Sequence, residues 1–279
     1  MQIKGKTLFA GILISLSFLF AGCVSVNSRT EAARIASAAG LNSENIPTRS
    51  FVIATWGRFT PPVKSMRVYI EGDGFAWKSR TQPSDDPTPH LTTGLKLAAA
   101  DPEQNVLYLA RPCQFIGPPL PATCQVNWWT NDRFSAVVID AMNEALDVFV
   151  SRYPGVKLDM VGYSGGGNIA ALLAARRHDI QSLRTVAGNL DVAWVNTLHN
   201  VTPMPNAISA MDSAVKLRTL PQIHYSGNAD KTVPVDVARR FQQAVGGNCV
   251  RVEVVSGMTH SSDWAAIWPQ LLKNPFPGC

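Results

Sequence analysis

A chain of 279 residues is long enough for one large α/β domain or two small ones, and 46% hydrophobic residues suffice for a sizeable core. The formal charge of +5 comes from 25 Lys and Arg against 20 Asp and Glu, and two of the bases, Lys4 and Lys6, fall in the opening segment. There is no basic run and no basic–aromatic stripe, which argues against nucleic acid as a partner.

Residues 1–22 have a short basic start, an apolar stretch from Leu8 to Ala21 and a small-residue exit. This layout predicts a secretory signal peptide whose apolar stretch is too short for an ordinary transmembrane span. The exit, "LFAGC", resembles the bacterial lipoprotein signal, with Phe20 where leucine is more common. The resemblance implies that Cys23 carries lipid, becomes the mature N-terminus and anchors the protein to a membrane of the bacterial cell envelope. Val24, rather than an acid, points to the outer membrane or cell surface. Residues 23–48, polar apart from an Ala-rich helical piece at Glu31–Ala39, are expected to form a tether.

From residue 49 to 279, extended and helical patterns alternate. Strands are expected at 50–56, 65–72, 105–112, 156–163, 183–188, 222–227 and 250–257, where β-branched and aromatic residues cluster. Helices are expected at 91–100, 132–153, 168–177, 235–245 and 263–273. Such alternation predicts an α/β fold in one domain, a mostly parallel central sheet with helices on both faces. Residues 189–221 interrupt the rhythm and read as a short cap or binding-loop insertion. Four cysteines remain beyond Cys23, an even number in an exported chain. The preferred disulfides are Cys113–Cys124, closing a Pro/Gly-rich loop, and Cys249–Cys279, pinning the C-terminus. No CxxC or histidine-paired spacing suggests a metal site.

Between the strand at 156–163 and the helix after it stands "VGYSGGGN", which contains Gly162-Tyr163-Ser164-Gly165-Gly166. This is the G-x-S-x-G nucleophile elbow, in which a sharp strand-to-helix turn raises a serine hydroxyl above the sheet. Small residues are needed because strand and helix nearly touch, and the turn leaves the Gly165 N–H at a helix N-terminus, where it can receive an oxyanion. Neither phosphate-binding spacing, G-x-x-x-x-G-K-[ST] or G-x-G-x-x-G, is present.

A serine nucleophile needs a base, and the base an orienting acid; in folds that carry this elbow the chain order is Ser, acid, His. His178 reads as a solvated helix end, His199 lies in the insertion, and His224 sits within a strand pattern. His260 follows the strand at 250–257 on a loop at the sheet's C-terminal edge, where such sheets carry their sites. Asp230 occupies the equivalent place after 222–227, with Asp191 as the runner-up. Asp212 lies in the insertion, and Asp236 and Asp263 read as first-turn residues of helices.

Taken together, "GYSGG", "GNADKTVP" and "GMTHSSDW" resemble the α/β-hydrolase superfamily, and the element pattern extends the resemblance from about residue 50 to the C-terminus. The resemblance implies Ser164 as nucleophile, Asp230 as orienting acid, His260 as general base, and a small-molecule ester as substrate, with no cofactor. The second oxyanion N–H would come from Asp73 or Gly74 in "IEGDGFAW", where Glu71 replaces the familiar histidine. Expected pocket walls are Phe75, Trp77, Trp128 and the 189–221 insertion. The insertion is short for a lipase lid, which favours a carboxylesterase. The rival expectations are a lipase, thioesterase or peptidase of the same fold, and a binding or envelope lipoprotein that keeps the fold without the chemistry.

Overall fold

The computed structural model of the chain describes Gln2 and residues 27–279. The expected signal peptide, the lipidation site Cys23 and Val24 fall outside the described residues, apart from Gln2. Seven α-helices and eight strands follow among the described residues: α1 Ser28–Ala38, β1 Asn42–Pro47, β2 Val52–Arg58, β3 Ser65–Ile70, α2 Thr93–Ala100, β4 Val106–Leu109, α3 Ala136–Arg152, β5 Lys157–Tyr163, α4 Gly165–Ala174, β6 Ile180–Val186, α5 Val192–Leu198, β7 Gln222–Gly227, α6 Val235–Val245, β8 Val250–Val255 and α7 Trp264–Leu271. Short 3-10 helices occupy Val126–Trp129 and Ala210–Leu217.

The strands form one sheet in the order β1-β2-β4-β3-β5-β6-β7-β8. The two pairings that involve β2 are antiparallel and the rest parallel, the mostly parallel sheet expected. Its two faces follow from the period-2 alternation of strand side chains. Met66, Val68 and Ile70 of β3, with Leu107 and Leu109 of β4, face α3, α4 and α6. Tyr69, Val106 and Tyr108 point the other way, toward α1, α2 and α7, where Trp264 and Trp268 are fully buried. Helices on both faces explain why the inner strands read as continuous apolar runs.

The sheet begins earlier than the sequence suggested. Residues 42–47, read as the end of a tether, pair with β2 as an antiparallel edge strand, and Ala32 and Ala36 of α1 are buried. Only Ile46 of β1 is buried, so the strand lacks the alternation that would have announced it. Pro47 is tolerated because the strand is at the edge.

Both expected disulfides are present, Cys113–Cys124 and Cys249–Cys279, with Cα atoms 5.6 and 4.8 Å apart. The insertion lies to the side, against α4 and α6. The Asn168 side chain ties it down, donating to Ile208 O and accepting from Ala210 N.

Candidate active site

The turn after β5 is as tight as its glycines require. A Cβ on Gly162 would stand 2.4 Å from Gly166 O, and one on Gly166 would stand 2.3 Å from Ile70 O. Strand β5, helix α4 and the end of β3 thus pack backbone against backbone. Ser164 lies at the crossing with φ +50° and ψ −122°, a conformation that costs a non-glycine residue about 1–3 kcal/mol. The surroundings impose it: Ser164 N donates to Val186 O at 3.0 Å, and its carbonyl accepts from Gly167 N and Asn189 N. Helix α4 starts at Gly165, directly after the serine.

Two loops at the same sheet edge complete the constellation. Asp230 follows β7 with its side chain sealed from solvent. Oδ1 accepts from Thr232 N and Val233 N, both at 2.8 Å, and Oδ2 faces His260 Nδ1 at 2.8 Å. His260 follows β8, on a loop held by Tyr163, whose hydroxyl donates to His260 O at 3.0 Å. His260 Nε2 stands 2.9 Å from Ser164 Oγ. A carboxylate can only accept, so Nδ1 carries the proton and Nε2 is left to accept from the serine hydroxyl.

The other acids and histidines have structural partners. Asp191, the runner-up acid, caps α5 by accepting from Trp194 N and pairs with Arg240. Asp212 completes a capping box with Ser209, and Asp236 sits in the first turn of α6 beside Arg239. Asp263 occupies the position before α7, without a capping hydrogen bond. His199 Nε2 meets Thr232 O. His224 is buried in β7 against Thr185 and Phe241, and burial pushes its pKa down to about 3. His178 borders a cleft between α3 and α4 whose charges largely pair with one another, Arg49 with Glu144 and Arg176 with Asp140 among them.

Above Ser164 and His260 opens a cavity of about 460 Å³, within the range of small-molecule sites. Phe75 and Trp77 line it as expected, together with His90, Leu91 and Arg133. Two expected walls do not. Trp128 packs its ring edge-on against Phe51, with centroids 5.5 Å apart, and no residue of 189–221 borders the cavity. In the loop after β3, Gly72 N donates to Glu71 Oε1 and Phe75 N to Pro87 O. Among the described residues this leaves the N–H groups of Asp73 and Gly74 without a protein partner, so both are free to donate to a bound group.

Three charged residues carry roles that the motifs did not announce. Glu71 is buried and accepts from Gly72 N, Gly94 N, Leu95 N and Tyr108 Oη, tying the loop to the start of α2. Burial raises its pKa against the lowering effect of those donors. Arg111 and Arg133 hold the Asp73 carboxylate at 3.3 and 2.9 Å, and both guanidinium groups lie over the Phe134 ring. The sequence signs were Glu71 and Arg111, charges at the ends of the apolar runs 65–72 and 105–112. Among the described residues, no three His, Cys, Asp or Glu side chains cluster in a way that could hold a metal ion.

No family model matches the chain, and no curated protein matches it in sequence. Solved structures do match in shape. A candidate lipase from Acinetobacter baumannii AYE is 14% identical with a TM-score of 0.59, the match covering 90% of this chain and 96% of that one. An α/β serine hydrolase homologue from Coxiella burnetii is 13% identical with a TM-score of 0.55, covering 83% and 97%. The esterase domain of a Rhodothermus marinus protein is 15% identical, also with a TM-score of 0.55, covering 83% and 95%. Likeness of this extent at such identities establishes the α/β-hydrolase fold.

Proposed function

We propose that the protein is an exported serine hydrolase that cleaves carboxylic esters and is held at the bacterial cell envelope by lipid on Cys23. The observation that carries the catalytic reading is the hydrogen-bonded chain Ser164–His260–Asp230 at the C-terminal edge of the sheet, with 2.9 and 2.8 Å contacts. Ser164 Oγ attacks the ester carbonyl while His260 Nε2 takes its proton. The tetrahedral oxyanion is received by Gly165 N–H and by the N–H of Asp73 or Gly74. His260 returns the proton to the departing alkoxide, leaving an acyl group on Ser164. Water, deprotonated by the same nitrogen, then releases the acid. Asp230 keeps the imidazole in the required tautomer and stabilises its cation. The export and lipid-anchor reading rests on the pattern of residues 1–23.

The test is a fluorophosphonate probe applied to the wild type, Ser164→Ala and His260→Ala, with p-nitrophenyl esters of rising chain length. Labelling of the wild type that disappears in Ser164→Ala supports the reading, and the chain-length profile sizes the acyl pocket. A folded wild type that neither labels nor cleaves any ester overturns it in favour of a binding lipoprotein on the same scaffold.

A further inference from the structure

Helix α1 begins beside the mouth of the Ser164 cavity. Asn27, Ser28 and Arg29 line a cleft together with Phe75 and His90, and those two rings, stacked with centroids 4.1 Å apart, also line the cavity itself. The placement is pinned: Arg29 Nη2 donates to Asp86 Oδ2 at 2.7 Å, and Ala32 and Ala36 are buried.

Cys23 is four peptide steps from Asn27. Fully extended, these reach about 14 Å. A domain of some 250 residues has a radius of gyration of about 18 Å, so its width far exceeds that reach. A lipid on Cys23 would therefore keep this edge of the domain within about 14 Å of the bilayer, out of reach of the opposite side. The same edge exposes apolar side chains. Trp77 and Leu91, both lining the cavity, are 39% and 54% exposed. Arg80, also exposed, sits in the turn closed by the Trp77–Pro83 bridge. An aromatic ring beside a cation suits the headgroup layer, where Trp is favoured and bases meet anionic lipid.

We propose that the rim formed by Trp77 and Leu91 rests on the bilayer that holds the Cys23 anchor, so that the cavity takes its ester substrates from the membrane. This inference rests on the lipid-anchor reading above. Docking itself requires no catalysis, so it can be tested apart from the hydrolase reading.

The experiment uses the full chain, matured from its own signal and reconstituted into phosphatidylethanolamine/phosphatidylglycerol vesicles. The mass of the mature N-terminus comes first: an unmodified Cys23 removes the anchor and overturns both readings. With lipid present, brominated phospholipids should quench a component of the tryptophan emission that is missing in Trp77→Phe. Equal quenching of the two proteins overturns the docking alone. A flexible Gly/Ser spacer of about 20 residues between 26 and 27 gives the second arm. It should lower hydrolysis of a long-chain umbelliferyl ester dissolved in the vesicles by about tenfold, through reduced effective concentration. Hydrolysis of water-soluble p-nitrophenyl acetate should stay unchanged. If both rates are insensitive to the spacer, the membrane is not the source of substrate.

Discussion

The Asp73 carboxylate lies against the Cα of Gly165, so closely that a Cβ at residue 165 would meet Oδ1 at 2.0 Å. Arg111 and Arg133 hold both carboxylate oxygens, so Asp73 cannot swing aside. The contact brings together the two segments proposed to supply oxyanion N–H groups. Gly165→Ala should force them apart and lower kcat on p-nitrophenyl esters by about 10²–10³-fold, the effect of losing one oxyanion donor. Steady-state kinetics with the thermal midpoint checked alongside decide it. Unaltered kcat in a folded variant would show that the closeness of these segments is immaterial to the chemistry.

Asp73 also compensates a buried cation. Burial lowers the Arg111 pKa while the Asp73 charge acts in the other direction. Asp73→Ala should leave that guanidinium without its counterion, at a cost of about 3–5 kcal/mol in urea unfolding. Arg111→Met in the Asp73→Ala background should recover part of the loss. A double variant no more stable than Asp73→Ala would mean that the charge was not the source of the cost.

The parts of this site that were legible in the sequence are those where backbone geometry restricts residue choice. Gly162 and Gly166 are written into the chain because no side chain fits there, and Asp230 and His260 stand where strands end. Strand β1 was illegible because an edge strand with one buried residue imposes no pattern. Trp128 was misplaced because an aromatic beside a loop satisfies a core contact, here Phe51, as readily as a pocket wall. The insertion was read as a wall because its length and prolines do not say which way it folds. Among the side chains that hold it is Asn168, a residue of α4 that carries no motif.

The two oxygens of Asp230 have different tasks. Oδ1 accepts from the Thr232 and Val233 N–H groups while Oδ2 faces His260. In Asp230→Asn the amide oxygen should turn to the two N–H donors, presenting the NH₂ to His260 Nδ1. The imidazole then has to accept at Nδ1 and carry its proton on Nε2, the wrong tautomer for receiving the Ser164 proton. A fall in kcat of about 10⁴ is expected, comparable to the same substitution in other serine hydrolases. A variant retaining more than a tenth of wild-type kcat would falsify the orienting role of Asp230.

His224 gives the fold a pH dependence separate from catalysis. Buried in β7, with Nδ1 2.8 Å from Thr185 Oγ1 and Nε2 lacking a partner among the described residues, it is held neutral with a pKa of about 3 against an ordinary 6.5. Between those values the unfolded chain binds the extra proton. The stability from neutral His224 is thus complete above pH 6.5 and is lost as pH falls through the window. Lowering pH from 7.5 to 5 should remove about 2 kcal/mol by this route. Glu71 acts in the opposite sense. Its raised pKa contributes stability that is present at low pH and lost as pH rises, so the contribution of His224 must be isolated by difference. His224→Phe keeps a ring beside Phe241 and leaves the Thr185 hydroxyl unpartnered, which should lower stability at pH 7.5. It should also remove the extra slope between pH 7.5 and 5. Parallel urea-unfolding profiles for wild type and variant across that range would show that the buried imidazole does not titrate on unfolding.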